Sequence, residues 1–175
     1  MPAYVGLCRN ATTFTKKGEL DEEAFRRFLQ RFVDARIGVY MASGGSGEGH
    51  ALRWEELRRV YRIGVEVCKG KVQVNSNQPE QHTARATLEH ALLAVECGVD
   101  IVNIYGPSSS HGYRPKDAEY IAYHDTLLSA IKHPVALAPN PVMGYTPKAE
   151  VVAQLCNKYH QVVAVNLASL RTSYF

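Results

Sequence analysis

The chain has 175 residues, of which 46% are hydrophobic and 21% charged, and its formal net charge is +3. These are the proportions of a globular domain with one good-sized core, and no run approaches the roughly 18 apolar residues of a transmembrane helix. The small positive surplus is scattered, with Arg26, Arg27, Arg31, Arg58 and Arg59 spread over helix faces, which excludes a nucleic-acid surface.

In chain order, Tyr4-Val5-Gly6-Leu7-Cys8 is a first strand, and Met1 to Asn10 lacks the cationic and long apolar stretches of a secretory signal. Asp21 to Ala35 is a helix: Phe25, Phe28, Leu29 and Phe32 recur at three and four residues, Asp21 suits the N-cap, and Glu22 and Glu23 suit the first turn. Gly38 to Ala42 is a second strand, Leu52 to Cys68 a helix, and Lys71 to Asn75 a third strand. Gln81 to Cys97 is helical and ends at Gly98, which suits a left-handed C-cap. Val99 to Tyr105 is the fourth strand, Pro115 to Ile131 a helix, and Pro134 to Ala138 the fifth strand. Thr146 caps a helix with Pro147 at its first position, running to about Tyr159, and Val162 to Val165 is the sixth strand.

Apolar strands alternating with amphipathic helices predict an α/β fold with a parallel sheet, either doubly wound or a (β/α) barrel. No GxGxxG opens the first helix and no GxxxxGK[ST] occurs, so dinucleotide and P-loop sites are disfavoured. Cys8, Cys68, Cys97 and Cys156 form no CxxC pair and lie in apolar surroundings. Free thiols predict a reducing, cytoplasmic setting. The seven histidines have no metal-ligand spacing, so neither metal nor cofactor is expected. Ser43-Gly44-Gly45-Ser46-Gly47-Glu48, directly after the second strand, can turn backbone N–H groups toward a carboxylate or phosphate; a plain tight βα turn explains it equally well.

With this loop the sequence resembles the dihydrodipicolinate synthase / N-acetylneuraminate lyase family of (β/α)8 TIM-barrel lyases and aldolases. The likeness rests on Thr12-Thr13-Phe14, Gly18 and Asp21, on Gly44-Gly45-Ser46-Gly47-Glu48 followed by Ala51-Leu52, on Glu55-Glu56-Leu57-Arg58, and on Ala94 to Asp100. It covers essentially the whole chain. The resemblance implies a small carboxylate or 2-keto acid ligand bound by Gly45, Ser46, Gly47, Asn140 and Tyr105, and a homo-oligomer with no membrane or nucleic-acid partner.

Three positions depart from the family pattern. The Schiff-base lysine of the sixth strand corresponds to Asn166, which cannot form an imine. The proton-relaying tyrosine of the fifth strand corresponds to Ala138, and the arginine that binds a second carboxylate to Met143. The loop from Tyr105 to Tyr113 is longer and more polar than the family's, and Tyr105, His111, Tyr113 and Tyr145 are candidates for a site mouth. A complete barrel of this type needs about 250 residues, so residues 1–175 are expected to be a single barrel domain, the N-terminal part of a longer one. Two functions follow: a lyase or aldolase-type enzyme without Schiff-base catalysis, with Asn166 at the catalytic position, or a non-catalytic anion-binding homologue acting as sensor or regulatory subunit.

Overall fold

A computed structural model describes residues 6–109 and 112–167. Among these, residues 6–79 with 93–101 form one compact unit, and residues 80–92 with those beyond 101 form a second.

The first unit contains β1 (Leu7–Arg9), α1 (Glu22–Asp34), β2 (Gly38–Met41), α2 (Trp54–Cys68) and β3 (Val74–Ser76). Its strands are parallel and in chain order, with Cys8 beside Val39 and Tyr40 beside Asn75. Parallel neighbours need a crossover, which each helix supplies. The Asp21 Oδ1 accepts the Ala24 N–H at 2.9 Å, the N-cap expected. Phe25 and Leu29 are fully buried, and Phe28 and Phe32 meet edge to face with ring centroids 5.1 Å apart. The second helix buries Leu57, Val60, Tyr61 and Ile63, each aliphatic worth about 1.5–3 kcal/mol. Gly64 faces Met41, and a Cβ there would overlap the methionine methyl, so α2 lies close against β2. Ion pairs Arg59–Glu22 and Arg26–Glu66 link the exposed sides of α1 and α2 and contribute little.

The third strand lies later than expected. Lys71 and Val72 both donate their N–H to the Cys68 carbonyl and Gly70 has φ +80°, so this stretch closes α2 before the ladder begins at Val74. Tyr4 and Val5, expected in the first strand, lie outside the described residues. Gly98 has φ +92° and ends the preceding helix as predicted.

The second unit holds residues 84–92 of α3 (Ala84–Cys97), together with β4 (Ile101–Tyr105) from Val102 on, α4 (Asp117–Ala130), β5 (Val135–Ala138), α5 (Ala149–Lys158) and β6 (Val162–Val165). The three strands are parallel in chain order, with Asn103 beside Ala136, Tyr105 beside Ala138 and Ala136 beside Ala164. All of β5 is buried, which fits its unbroken apolar run. The fifth helix corrects the expectation: Thr146 does not cap it and Pro147 is not its first residue. Lys148 occupies the cap position, and its carbonyl accepts from Val151 and Val152. Likewise α3 starts at Ala84, after Thr83 Oγ1 accepts the Ala86 N–H at 3.2 Å, and Pro115 precedes α4.

The four cysteines are free, and burial raises the Cys68 thiol pKa to about 11. No helix among the described residues is long and apolar enough to cross a membrane.

Candidate functional site

In a (β/α) fold, chemistry gathers where strands end at their C-termini. In the first unit that edge carries the glycine-rich loop after β2. Ser43 Oγ accepts the Gly47 N–H at 2.9 Å and lies 3.1 Å from Ser46 Oγ, while Thr12 Oγ1 donates to the Gly47 carbonyl at 2.6 Å. The Glu48 N–H bonds to Gly45 O, the Gly49 N–H to Ser43 O, and His50 Nδ1 donates to Gly44 O at 2.6 Å. Ala42 and Glu48 hold positive φ, +58° and +51°, which costs non-glycine residues energy and marks a conformation the fold enforces.

The glycines divide into two kinds. A Cβ on Gly47 would lie 2.6 Å from Ser43 N and 3.0 Å from Ala42 C, so this glycine serves the close backbone approach of the turn. Gly45 has neither a left-handed φ nor any atom within 4 Å of a Cβ position. Among the described residues, the Gly45 and Ser46 amides make no hydrogen bond. The turn reading thus accounts for Gly47, and Gly45 with Ser46 is left with room for an anion. Nearby in chain order, Asn75 is buried beside Tyr40 in the ladder, and its Oδ1 has no partner; the buried Gln78 amide is also unpartnered. Unpaired polar atoms at such depth call for a ligand or an ordered water.

In the second unit, strand alternation sets Asn103 and Tyr105 on one face of β4, with Ala136 and Ala138 beside them. Asn166 follows β6; its N–H bonds to Leu137 O at 2.7 Å, and its Nδ2 donates to the Oδ1 of fully buried Asn103 at 3.2 Å. The amide is therefore oriented rather than free to rotate. Asn103 was not singled out from the sequence. The available signal was one amide interrupting the apolar alternation of Val102-Asn103-Ile104.

Tyr105, Ala138 and Met143 form a buried apolar cluster, with Tyr145 packed on it. Met143 is 3% exposed, so the position expected to hold a carboxylate-binding arginine is filled by apolar packing. The Tyr145 hydroxyl donates to Pro107 O at 2.8 Å, and burial raises its pKa, keeping the phenol protonated. Asn140 is buried at the end of β5, its carbonyl accepting the Met143 N–H. Tyr113 is 46% exposed, and His111 lies outside the described residues.

The chain has eight lysines, all among the described residues and all exposed. Lys69 and Lys71 bond to the Gly98 and Val67 carbonyls, and Lys148 and Lys158 to Asp117 and Asp125. A lysine that forms imines at neutral pH needs burial or a neighbouring cation to lower its pKa. Of these eight, Lys148 and Lys158 are instead raised, chiefly by their hydrogen bonds to carboxylates.

The family model for the dihydrodipicolinate synthetase family matches residues 7–174. The 4-hydroxy-tetrahydrodipicolinate synthase of Nitratiruptor sp. is 28% identical over 158 residues, covering 88% of this chain and 52% of that protein. The same-named protein of Sulfurimonas denitrificans is 32% identical over 108 residues, 61% of this chain and 36% of its own length. Among solved structures, the dihydrodipicolinate synthase of Aquifex aeolicus superposes with a TM-score of 0.85 at 18% identity, covering 95% of this chain and 56% of that one. YagE of E. coli K12, solved in complex with pyruvate, gives a TM-score of 0.84 at 20% identity, covering 98% and 57%. These likenesses show the (β/α)8-barrel type of fold, of which six strands lie among the described residues. The chain spans about half the length of the curated relatives it matches. With the family model matched from β1 to beyond β6, the chain belongs to the dihydrodipicolinate synthetase family.

Proposed function

We propose that this chain serves a lyase or aldolase-type protein that binds a 2-keto acid or similar small carboxylate and does so without forming an imine. The observation that carries the reading is the amide of Asn166, held by Asn103 and Leu137 after β6, in a chain whose every lysine is exposed. An amide nitrogen has a delocalised lone pair and does not attack a carbonyl. What it can do is donate a hydrogen bond to a carbonyl oxygen that gains negative charge, as in an oxyanion hole. Ala138 has no hydroxyl to relay a proton, so the chemistry left to these residues is binding and polarisation.

The Gly45 and Ser46 amides suit a carboxylate, since two adjacent N–H groups with open space above them bind an anion without a charged side chain. Pyruvate in the related YagE structure supports this ligand class. The test is calorimetric titration of the chain with pyruvate, followed by borohydride treatment, which would reduce any imine to a stable amine, and then dialysis. Saturable heat that returns in full on a second titration after dialysis is expected. Absence of saturable binding, or sites permanently lost after dialysis, overturns the reading.

A further inference from the structure

Met143 leaves the apolar cluster of the second unit without a cation, yet the same unit presents one on the other side of Tyr145. A cavity of about 270 Å³ is lined by Arg114, Asp117, Tyr120, Tyr145 and Thr146 between two prolines. Among the described residues Arg114 makes no ion pair or hydrogen bond. The carboxylate in the lining, Asp117, is matched by Lys148 Nζ at 2.5 Å, so the guanidinium leaves the cavity with a net positive charge.

The apolar wall is fixed in place. Tyr145 is tied to Pro107 O and stands edge-on to Tyr120, with ring centroids 6.2 Å apart at 83°. Gly106 makes this possible, because a Cβ there would overlap the Tyr145 hydroxyl and approach Tyr120 Cε2 to 2.7 Å. One unpaired planar cation, one hydroxyl and the Tyr145 ring, backed by buried Tyr120, describe a site for a small organic anion. The guanidinium fork matches a carboxylate's two oxygens, Thr146 supplies a further donor, and the Tyr145 ring takes the carbon chain.

We propose that this cavity is a carboxylate-binding subsite anchored by Arg114. It needs neither Asn166 nor the Gly45 amides, so it goes beyond the keto-acid reading and can stand or fall separately. Propionate, which has no keto group, is the probe, followed by residue-resolved NMR titration of the chain, with inorganic phosphate as a second arm. Saturable shifts at residues 114–117 and 145–147 are expected. Affinity should fall about tenfold or more in Arg114→Gln, since a charge-assisted bond is lost, and by less in Arg114→Lys, which keeps charge without the fork. Gly45→Ala should not change it. Shifts absent from these residues, affinity unchanged in Arg114→Gln, or phosphate binding as tightly as propionate would overturn the proposal. Loss of the pyruvate-induced shifts at residues 45–46 in Gly45→Ala, with the shifts at residues 114–117 retained, would separate the two sites.

Discussion

Replacing single glycines in the loop after β2 separates its structural from its binding role. At Gly47 an alanine Cβ meets only backbone: Ser43 N at 2.6 Å and Ala42 C and Cα at 3.0 Å. Backbone cannot swing away as a side-chain tip can. Relief requires opening the turn, which breaks the Gly47 N–H to Ser43 Oγ bond and strains the Gly49 N–H to Ser43 O bond, both 2.9 Å. Overpacking costs about 1–3 kcal/mol and a lost hydrogen bond about 1, so Gly47→Ala should destabilise by about 2–4 kcal/mol. For a chain of this size, that lowers Tm by about 4–16 °C. At Gly45 no atom is displaced, and the smaller entropy of the unfolded alanine chain gives a change between zero and a gain of about 1 kcal/mol. The new methyl instead stands over the Gly45 and Ser46 amides, so pyruvate affinity should fall. Thermal unfolding by circular dichroism and calorimetric titration read the two effects. If Gly45→Ala melts as early as Gly47→Ala, or binds pyruvate as well as the parent, the division of roles is wrong.

Asp21→Ala removes the bond to the Ala24 N–H and should cost about 1 kcal/mol in urea unfolding, with little change in ligand affinity. His124 is fully buried between Tyr120 and Tyr123, its Nδ1 within 2.9 Å of Tyr120 O, and burial lowers its pKa from 6.5 to about 4. The unfolded chain therefore binds a proton that the folded one refuses. The stability this group confers is complete above pH 6.5, declines as pH falls toward 4, and amounts to an order of 3 kcal/mol. Urea unfolding from pH 7 to 4 should show a shallower decline in His124→Phe than in the parent, and parallel curves would contradict this. Met143→Arg, which introduces the arginine that the family resemblance implies at this position, should destabilise by about 3 kcal/mol or more rather than create a site, because the guanidinium enters a cluster of Tyr105 and Ala138; an unchanged denaturation midpoint would count against that packing.

The helices were legible because their apolar stripes recur at helical period, and Phe25, Leu29, Leu57, Val60 and Ile63 are buried as that period demands. Boundaries were less so, for reasons visible in the hydrogen bonds. Lys71 and Val72 look like strand residues, yet their N–H groups close the end of α2; Thr146 looks like a cap, yet Lys148 supplies the cap carbonyl. The glycine-rich loop was identified from its composition, but only coordinates show that Gly47 is consumed by packing while Gly45 faces open space. The Asn103–Asn166 bond joins residues 63 positions apart. Periodicity is blind to such pairings, since they depend on strand register. Arg114 drew no reading from the sequence, because only the packing of Tyr145 and Thr146 beside it makes the cavity.

The most direct test of the central claim is intact-mass spectrometry after incubation with pyruvate and borohydride, which reduces any imine to a stable adduct. The parent chain is predicted to keep its mass. Asn166→Lys, which places an amine beside fully buried Asn103, should gain one reduced pyruvyl group. A stoichiometric adduct on the parent chain, mapped by peptide analysis to any of its eight lysines, would contradict the account and restore Schiff-base chemistry to this protein.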